Sequence, residues 1–301
     1  MSGSDSSCDF HSGELSQFLI QVECPTEPIE IYEEIGRGPF SVCFLCRKKK
    51  KLQFFCIKGI DKSLKDEIAN ETRLLKQLDH PNIEKFSDWY ETANHIWQIV
   101  ELCAGKDLYA LLQSDKNLPE RSIHAFSSDV REALFYLHEQ GIIYCDLRPK
   151  TILFDNIGTM KLCDFKHSIR TSEVKPEPVD VRLKLSDIKY LAPELLRPHQ
   201  LMNLNLQLPP DLVAIERKRQ QQQQFEGEPG FNLNDPQLAF PFSFQSDLWA
   251  FGCLFYEMAE GRPPFEGETQ EEIVHNILTQ EPIEVRNIFG VRYQYSSLKP
   301  S

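Results

Sequence analysis

Between Ile29 and Cys103, short apolar runs of strand length alternate with turn residues, and one stretch has helical spacing. Ile31 and Tyr32 lead into a glycine turn, Val42 to Cys46 reads as a second strand, and Gln53 to Lys58 as a third. From Ser63 to Leu78 the residues Ile68, Leu74, Leu75 and Leu78 fall on one side of a helix, which Pro81 stops. Ile96 to Leu102 is again strand-like. Beyond Cys103 the period changes. Leu108 to Leu112 fits one helix, and Glu120 to Gln140 a longer one, opened by Leu118-Pro119-Glu120 and closed by Gly141. Ile152 to Phe154 and Met160 to Leu162 are short strands, and Gln245 to Glu260 and Gln270 to Leu278 return to helical spacing.

Strands first and helices afterwards predict an α+β fold rather than an alternating sheet. Residues 1–28, rich in Ser, Gly, Pro and acid, read as a flexible extension. A strand-rich part follows at 29–102 and a helical part at 103–290, with an irregular tail at 291–301. The helical part is interrupted at about 198–243 by a low-complexity insert containing Pro209-Pro210, a glutamine run ending at Gln224, and Glu228-Pro229-Gly230.

Composition narrows the function classes. With 33 basic and 45 acidic residues the net charge is −12, which makes nucleic acid a poor partner. The basic run Arg47 to Lys51 is a hairpin turn facing water. The 9 cysteines have no disulfide-framework spacing, and neither a signal peptide nor a membrane-length apolar run is present, so a cytoplasmic, reducing setting is expected. Cys43 and Cys46 resemble half a zinc site, but residues three apart in a strand face opposite sides and no second pair of ligands is near.

Candidate chemistry comes from five segments. Ile35-Gly36-Arg37-Gly38-Pro39-Phe40-Ser41 offers glycines that let main-chain N–H groups approach a phosphate, although Ser41 stands where a third glycine is expected. Lys58 ends the strand Phe55-Cys56-Ile57-Lys58 and suits the α- and β-phosphates of ATP. Glu71, on the helix that follows, is placed to pair with that ammonium. Asp146 lies in Tyr144-Cys145-Asp146-Leu147-Arg148-Pro149-Lys150-Thr151, where it would accept or orient a substrate hydroxyl proton, with Arg148 neutralising the transferring phosphoryl group. Asp164, in Cys163-Asp164-Phe165-Lys166, would bind Mg²⁺, and Ala192-Pro193-Glu194 lies downstream.

These segments, in this order, resemble the protein kinase superfamily across 29 to about 280. Within it, Tyr32-Glu33-Glu34-Ile35-Gly36, Trp89-Tyr90-Glu91-Thr92, Ile142-Ile143-Tyr144-Cys145-Asp146, Ser246-Asp247-Leu248-Trp249 and Gly261-Arg262-Pro263-Pro264-Phe265 resemble the Fused/RUNKEL-type (uncoordinated-like) serine/threonine kinases. The resemblance implies a two-lobed protein kinase fold, β-rich at 29–102 and helical at 103–290. It implies ATP held by Glu101 and Cys103 at a hinge behind the small Val100, ribose bound by Asp107, and the base sandwiched by Ile35, Cys43, Cys56 and Leu153. Leu75, Phe86, Tyr144 and Phe165 would form a hydrophobic column anchored by Asp247. It further implies a protein partner or substrate, and roles at microtubules, in cytokinesis or cilia that no residue here carries.

The departures from the family pattern gather on the chemistry. Thr151 replaces the asparagine that holds a second Mg²⁺, so one ion, or none, is expected, with Thr151 a weak ligand at best. Lys166 replaces a glycine after Asp164-Phe165, stiffening the loop, and either points to solvent or brings positive charge beside the phosphates. Cys145 replaces an arginine that grips an activating phosphate, and Asp187 stands where a threonine contacts the catalytic aspartate. No D-P-x-x-R segment follows the last helix, so Glu194 lacks its usual arginine and the helical lobe reads as incomplete at its C-terminus. Two readings result. One is a pseudokinase or weakly active kinase domain serving as a nucleotide-regulated interaction or scaffold domain; the alternative is an active serine/threonine protein kinase transferring the ATP γ-phosphate to protein.

Overall fold

The computed structural model describes residues 29–38, 40–48, 53–115, 118–173, 187–196 and 242–282. The expected extension at 1–28, the insert as far as 241 and the tail at 291–301 lie outside the described residues. The strands are β1 (Ile29–Arg37), β2 (Ser41–Lys48), β3 (Phe54–Asp61), β4 (Phe86–Glu91), β5 (His95–Glu101), β6 (Ile142–Ile143), β7 (Ile152–Phe154), β8 (Met160–Leu162) and β9 (Ile169–Arg170). The α-helices are α1 (Lys65–Leu75), α2 (Leu108–Ser114), α3 (Glu120–Glu139), α4 (Phe244–Glu260) and α5 (Gln270–Thr279). The chain divides into two compact units, one of residues 1–106 and 153–167, the other of 107–152 and 168–301. The expected single cut at 102/103 therefore misses the return of 153–167 to the first unit.

In the first unit, β1 to β5 form one antiparallel sheet ordered β1-β2-β3-β5-β4. Period-2 alternation sorts its faces. Val42, Phe44 and Cys46 of β2 point into a core with Phe55, Ile57, Tyr90, Trp97 and Ile99. Cys43 therefore takes the other face, opposite Lys58, and Cys56 lies opposite Val100. Alternation alone thus separates Cys43 from Cys46 and lifts Lys58 out of the core. Gly59 lies under Trp97, where a Cβ would stand 2.6 Å from the indole, so only glycine seats that ring.

α1 is shorter than its apolar spacing suggests. Asp61 caps a preceding 3-10 turn by accepting from the Ser63 N–H at 2.7 Å, and Leu78 is buried although it lies past the helix end. The return segment is held by a short ladder. The Glu84 N–H donates to the Leu162 carbonyl at 2.9 Å and the Leu162 N–H to the Asn82 carbonyl at 2.8 Å, while Ile83 bridges Leu162 in parallel. Asn82 Nδ2 and Lys161 Nζ add bonds to the Met160 and Pro81 carbonyls.

The second unit is helical. α3 buries Ile123, Val130, Ala133, Leu134 and Leu137 along one stripe and stops at Gly141, whose φ of 67° favours glycine. Each leucine buried this way contributes about 1.5–3 kcal/mol. Ser243 and Ser246 form a capping box at the start of α4, and Gly261, φ 73°, ends it. Phe242 and Ser243, read from the sequence as the end of the insert, already belong to this unit: Phe242 joins the core of Ile188, Leu195, Phe265 and Val274. Among the described residues no helix is long and apolar enough to cross a membrane.

Candidate functional site

In the first unit Lys58 Nζ donates to Glu84 Oε2 at 2.6 Å, with both side chains largely buried. The expected Lys58–Glu71 pair is not formed. Glu71 instead accepts from the Phe165 N–H at 2.9 Å and from Gln98 Nε2 at 3.3 Å, which uses both of its oxygens. Burial alone would lower the Lys58 pKa, but the Glu84 carboxylate holds it well above the ordinary value. Burial pushes the Glu71 carboxyl up to about 7, against the opposing pull of Lys58. Burial raises Glu84 too, despite Lys58.

The metal-loop residue Asp164 sits in the left-handed region at φ 60°, which costs a non-glycine residue about 1–3 kcal/mol. Its Oδ2 accepts from Lys166 Nζ at 2.7 Å. The lysine that replaces the loop glycine thus lies against the carboxylate expected to hold Mg²⁺. Among the described residues no group of three His, Cys, Asp or Glu could hold a metal ion, so an ion here would rest on Asp164 and on phosphate oxygens.

Around the position expected for the base, the Cys43 thiol is drawn below the ordinary range, first by a hydrogen bond with the Cys56 thiol and also by Lys58; the Cys56 thiol is pushed up. Ile35 is exposed and Leu153 half-buried. At the hinge the Glu101 N–H donates to the Lys85 carbonyl at 2.9 Å, and its carboxylate takes Lys161 Nζ at 3.0 Å. Burial pushes the Cys103 thiol up to about 12. Gly105 follows because the hinge runs against β7: its N–H donates to the Phe154 carbonyl at 2.9 Å, and a Cβ would meet Phe154 at 2.6 Å. In the glycine turn the Gly38 N–H donates to the Ser41 carbonyl at 2.8 Å and Gly36 lies opposite Cys43, while Pro39 is outside the described residues.

In the second unit the loop around Asp146 is held from below. Asp247, nearly fully buried on α4, accepts from the Tyr144 N–H at 2.8 Å, the Cys145 N–H at 2.9 Å and bonds His138 Nε2 at 2.9 Å. Those bonds fix Cys145 at φ 69°. Asp146 is gripped by the basic residue two places on: Arg148 Nε donates to Oδ1 at 2.8 Å and Nη2 to Oδ2 at 3.3 Å. Such bidentate pairs are strong. Thr151, 1% exposed, has the Asp146 carbonyl at 2.8 Å and the Arg148 carbonyl at 3.0 Å from its hydroxyl, whose one proton goes to either or is shared between them. That bond ties Thr151 to the loop's main chain. Asp107 caps α2 through its Oδ1 and the Ala110 N–H at 2.7 Å. A cleft is lined by Asp146, Arg148, Asp187, Tyr190, Phe242 and Asp247, so Asp187 shares it with the carboxylates of Asp146 and Asp247. Glu194 is half-buried and is not left without a partner.

A five-stranded antiparallel sheet carrying a buried lysine–carboxylate pair, and a helical unit carrying an aspartate loop pinned by a buried aspartate, define a protein kinase-like domain. The sequence matches the protein kinase domain family over residues 29–204, and the chain belongs to that family. Its strand-rich unit is the family's β-rich lobe and its helical unit the second lobe.

Among its relatives, the chain is 39% identical over 247 residues to the serine/threonine-protein kinase RUNKEL of Arabidopsis thaliana, covering 82% of this chain and 15% of the relative. It is 34% identical over 267 residues to the serine/threonine-protein kinase ULK4 of Mus musculus, covering 85% of this chain and 18% of the relative. Serine/threonine-protein kinase 36 of Mus musculus is 27% identical over 269 residues, with 85% and 16% covered. The chain spans less than a fifth of the length of these relatives. Their kind matches the Fused/RUNKEL resemblance of the sequence.

Membership implies an ATP-binding domain, and the first unit fits a triphosphate. An ammonium has three donors, and Lys58 spends one of them, on Glu84, among the described residues. Glu84 escaped the sequence reading. A charged residue between Ile83 and the strand at Phe86 could as well have faced water, and only the ladder to Leu162 buries it. The lysine at the loop's glycine position is visible in the sequence, whereas its pairing with Asp164 is not.

Proposed function

We propose that this chain is an ATP-binding, kinase-like domain with weak or absent phosphotransfer, acting as a nucleotide-regulated interaction domain for a protein partner. One observation carries the reading: each loop carboxylate needed for transfer is already paired with the basic residue two positions later, Asp146 with Arg148 and Asp164 with Lys166. Bound ATP would supply the phosphoryl group. Asp146 would share its carboxylate between a hydroxyl and the Arg148 fork, and Asp164 would share its own between Mg²⁺ and Lys166, whose positive charge opposes the ion. Thr151, its hydroxyl bonded to the loop's main chain, is a poorer ligand for a second ion than an amide oxygen. One lost electrostatic contact costs about 10²–10³ in rate, and such losses do not simply multiply. Nucleotide binding is less affected, because Lys58 keeps its charge and Lys166 stands in for metal charge at Asp164.

The second reading, an active serine/threonine kinase, is favoured by the survival of Lys58, Asp146 and Asp164. The net charge of −12 argues for protein rather than nucleic acid as partner, while a cytoskeletal partner and a cytoplasmic location rest on resemblance and composition alone. Radiolabel transfer from ATP to a generic protein substrate separates the two readings. Incorporation by the wild type should not exceed that by Asp146→Asn. Incorporation that Asp146→Asn abolishes would establish the enzyme.

A further inference from the structure

The phosphate-binding lysine of the first unit sits among carboxylates from two different elements. Glu71 belongs to α1, whereas Glu84 belongs to the segment that hydrogen-bonds to β8. Only Glu84 touches Lys58, at 2.6 Å, and it is 2% exposed. Glu71 has both oxygens committed elsewhere, to the Phe165 N–H and to Gln98, which also bonds Thr72 at 3.0 Å. Glu71 thus ties α1 to the metal loop and to β5 rather than to the lysine.

We infer that Glu84, not Glu71, is the positioning residue for Lys58, so that the ion pair holding the nucleotide-binding ammonium does not involve helix α1. The inference rests on the nucleotide-binding reading above and names the residue on which that site depends. Glu84 is fixed by its own backbone: its N–H reaches the Leu162 carbonyl at 2.9 Å, and its neighbour Ile83 bridges Leu162. The anchor therefore moves with β8 and the segment leading to Asp164, and a shift of α1 would carry Glu71 away while leaving the Lys58–Glu84 pair intact. The remaining Lys58 donors stay available for phosphate oxygens. Cys163, Glu71 and Cys43 also act on the ammonium, but Glu71 makes no ion pair with it. A domain wired this way keeps its nucleotide site assembled whatever a partner does to α1. Partner control acting through that helix would then reach the metal loop, by way of Glu71 and Phe165, before it reached Lys58.

Competitive acetylation with an N-hydroxysuccinimide ester, read by mass spectrometry of the Lys58 peptide, tests the assignment without any nucleotide. Only the neutral amine reacts, and the exposed Lys65 serves as internal reference. Glu84→Gln should drop the Lys58 pKa by at least about one unit and accelerate labelling about tenfold or more, while Glu71→Gln changes it less than about twofold. Glu84→Asp, which keeps the charge but withdraws it by one methylene, should fall between and covers the case in which Glu84→Gln does not fold. ATP affinity, measured alongside, should fall about tenfold in Glu84→Gln and little in Glu71→Gln. Labelling accelerated by Glu71→Gln as much as by Glu84→Gln overturns the inference, and so does wild-type behaviour of Glu84→Asp. A wild type that binds no ATP while its labelling follows Glu84 would uphold this assignment and sink the nucleotide-binding reading instead.

Discussion

Replacing Asp247 by asparagine should unfasten the Asp146 loop. In the native unit one carboxylate serves three donors: Oδ2 takes the Tyr144 N–H at 2.8 Å and His138 Nε2 at 2.9 Å, and Oδ1 takes the Cys145 N–H at 2.9 Å. An asparagine keeps one acceptor, which can still serve Cys145. Its amide nitrogen then faces the Tyr144 N–H, donor against donor, in a site where Tyr144 is fully buried. A buried donor left without an acceptor costs about 1–3 kcal/mol, and hydrogen bonds to a charged group contribute about 1.5–3 kcal/mol each. Cys145, at φ 69°, must also be held in a conformation that costs about 1–3 kcal/mol without support. Together these give a loss of about 3 kcal/mol, or roughly 6–12 °C in Tm for a domain of this size. Urea unfolding of Asp247→Asn beside Asp79→Asn is the assay, since the Asp79 side chain is 85% exposed in its ion pair and should change stability by less than about 0.5 kcal/mol. If the two variants were equally stable, the claim that Asp247 holds the loop would be refuted.

Three further outcomes follow from the first unit. Glu71 has its folded pKa raised from 4.5 to about 7, so the folded state holds a proton that the unfolded chain releases. Its contribution is fully present below about pH 4.5 and is lost as pH rises through about 7; wild-type stability relative to Glu71→Gln should fall by about 3 kcal/mol over that window, and a flat difference would contradict the assignment. Gly59→Ala would press a Cβ to 2.6 Å from Trp97. Overpacking of this kind costs about 1–3 kcal/mol, read as a lowered urea midpoint, and an unchanged midpoint would mean the indole has room to move. Among Cys43, Cys56, Cys103 and Cys163, iodoacetamide should reach Cys43 first, because only its thiol is drawn below the ordinary range, and ATP should protect it. Faster reaction at Cys103 would count against that environment.

Much of the architecture was legible because the chain obeys simple periods. The alternation of Val42, Cys43, Phe44, Leu45 and Cys46 sets the two faces of β2, and the limits of β7 and β8 fall at Ile152-Leu153-Phe154 and Met160-Lys161-Leu162, as their apolar residues predict. β4 was not singled out, since Phe86-Ser87-Asp88-Trp89-Tyr90-Glu91 buries only Tyr90 and pairs with one neighbour at the sheet edge. The chemistry was legible as a set of residues but not as a set of pairs. Spacing located Lys58, Glu71, Asp146 and Asp164. It could not tell that Glu71 would spend its oxygens on Phe165 and Gln98, because that depends on how α1 meets two other elements. Likewise spacing could not tell that the Thr151 hydroxyl would lie within hydrogen-bond distance of the Asp146 carbonyl.

A nucleotide site built on a lysine that keeps its charge while the loop acids are already paired is tested most directly by nucleotide-induced thermal stabilisation. ATP at about a hundredfold excess over its Kd should stabilise the domain by about 2.7 kcal/mol, and the shift should persist in EDTA because Lys166 occupies the Asp164 carboxylate. A shift that appears with Mg²⁺ and vanishes in EDTA would show that metal, not Lys166, carries the charge there. No shift under either condition would contradict nucleotide binding itself.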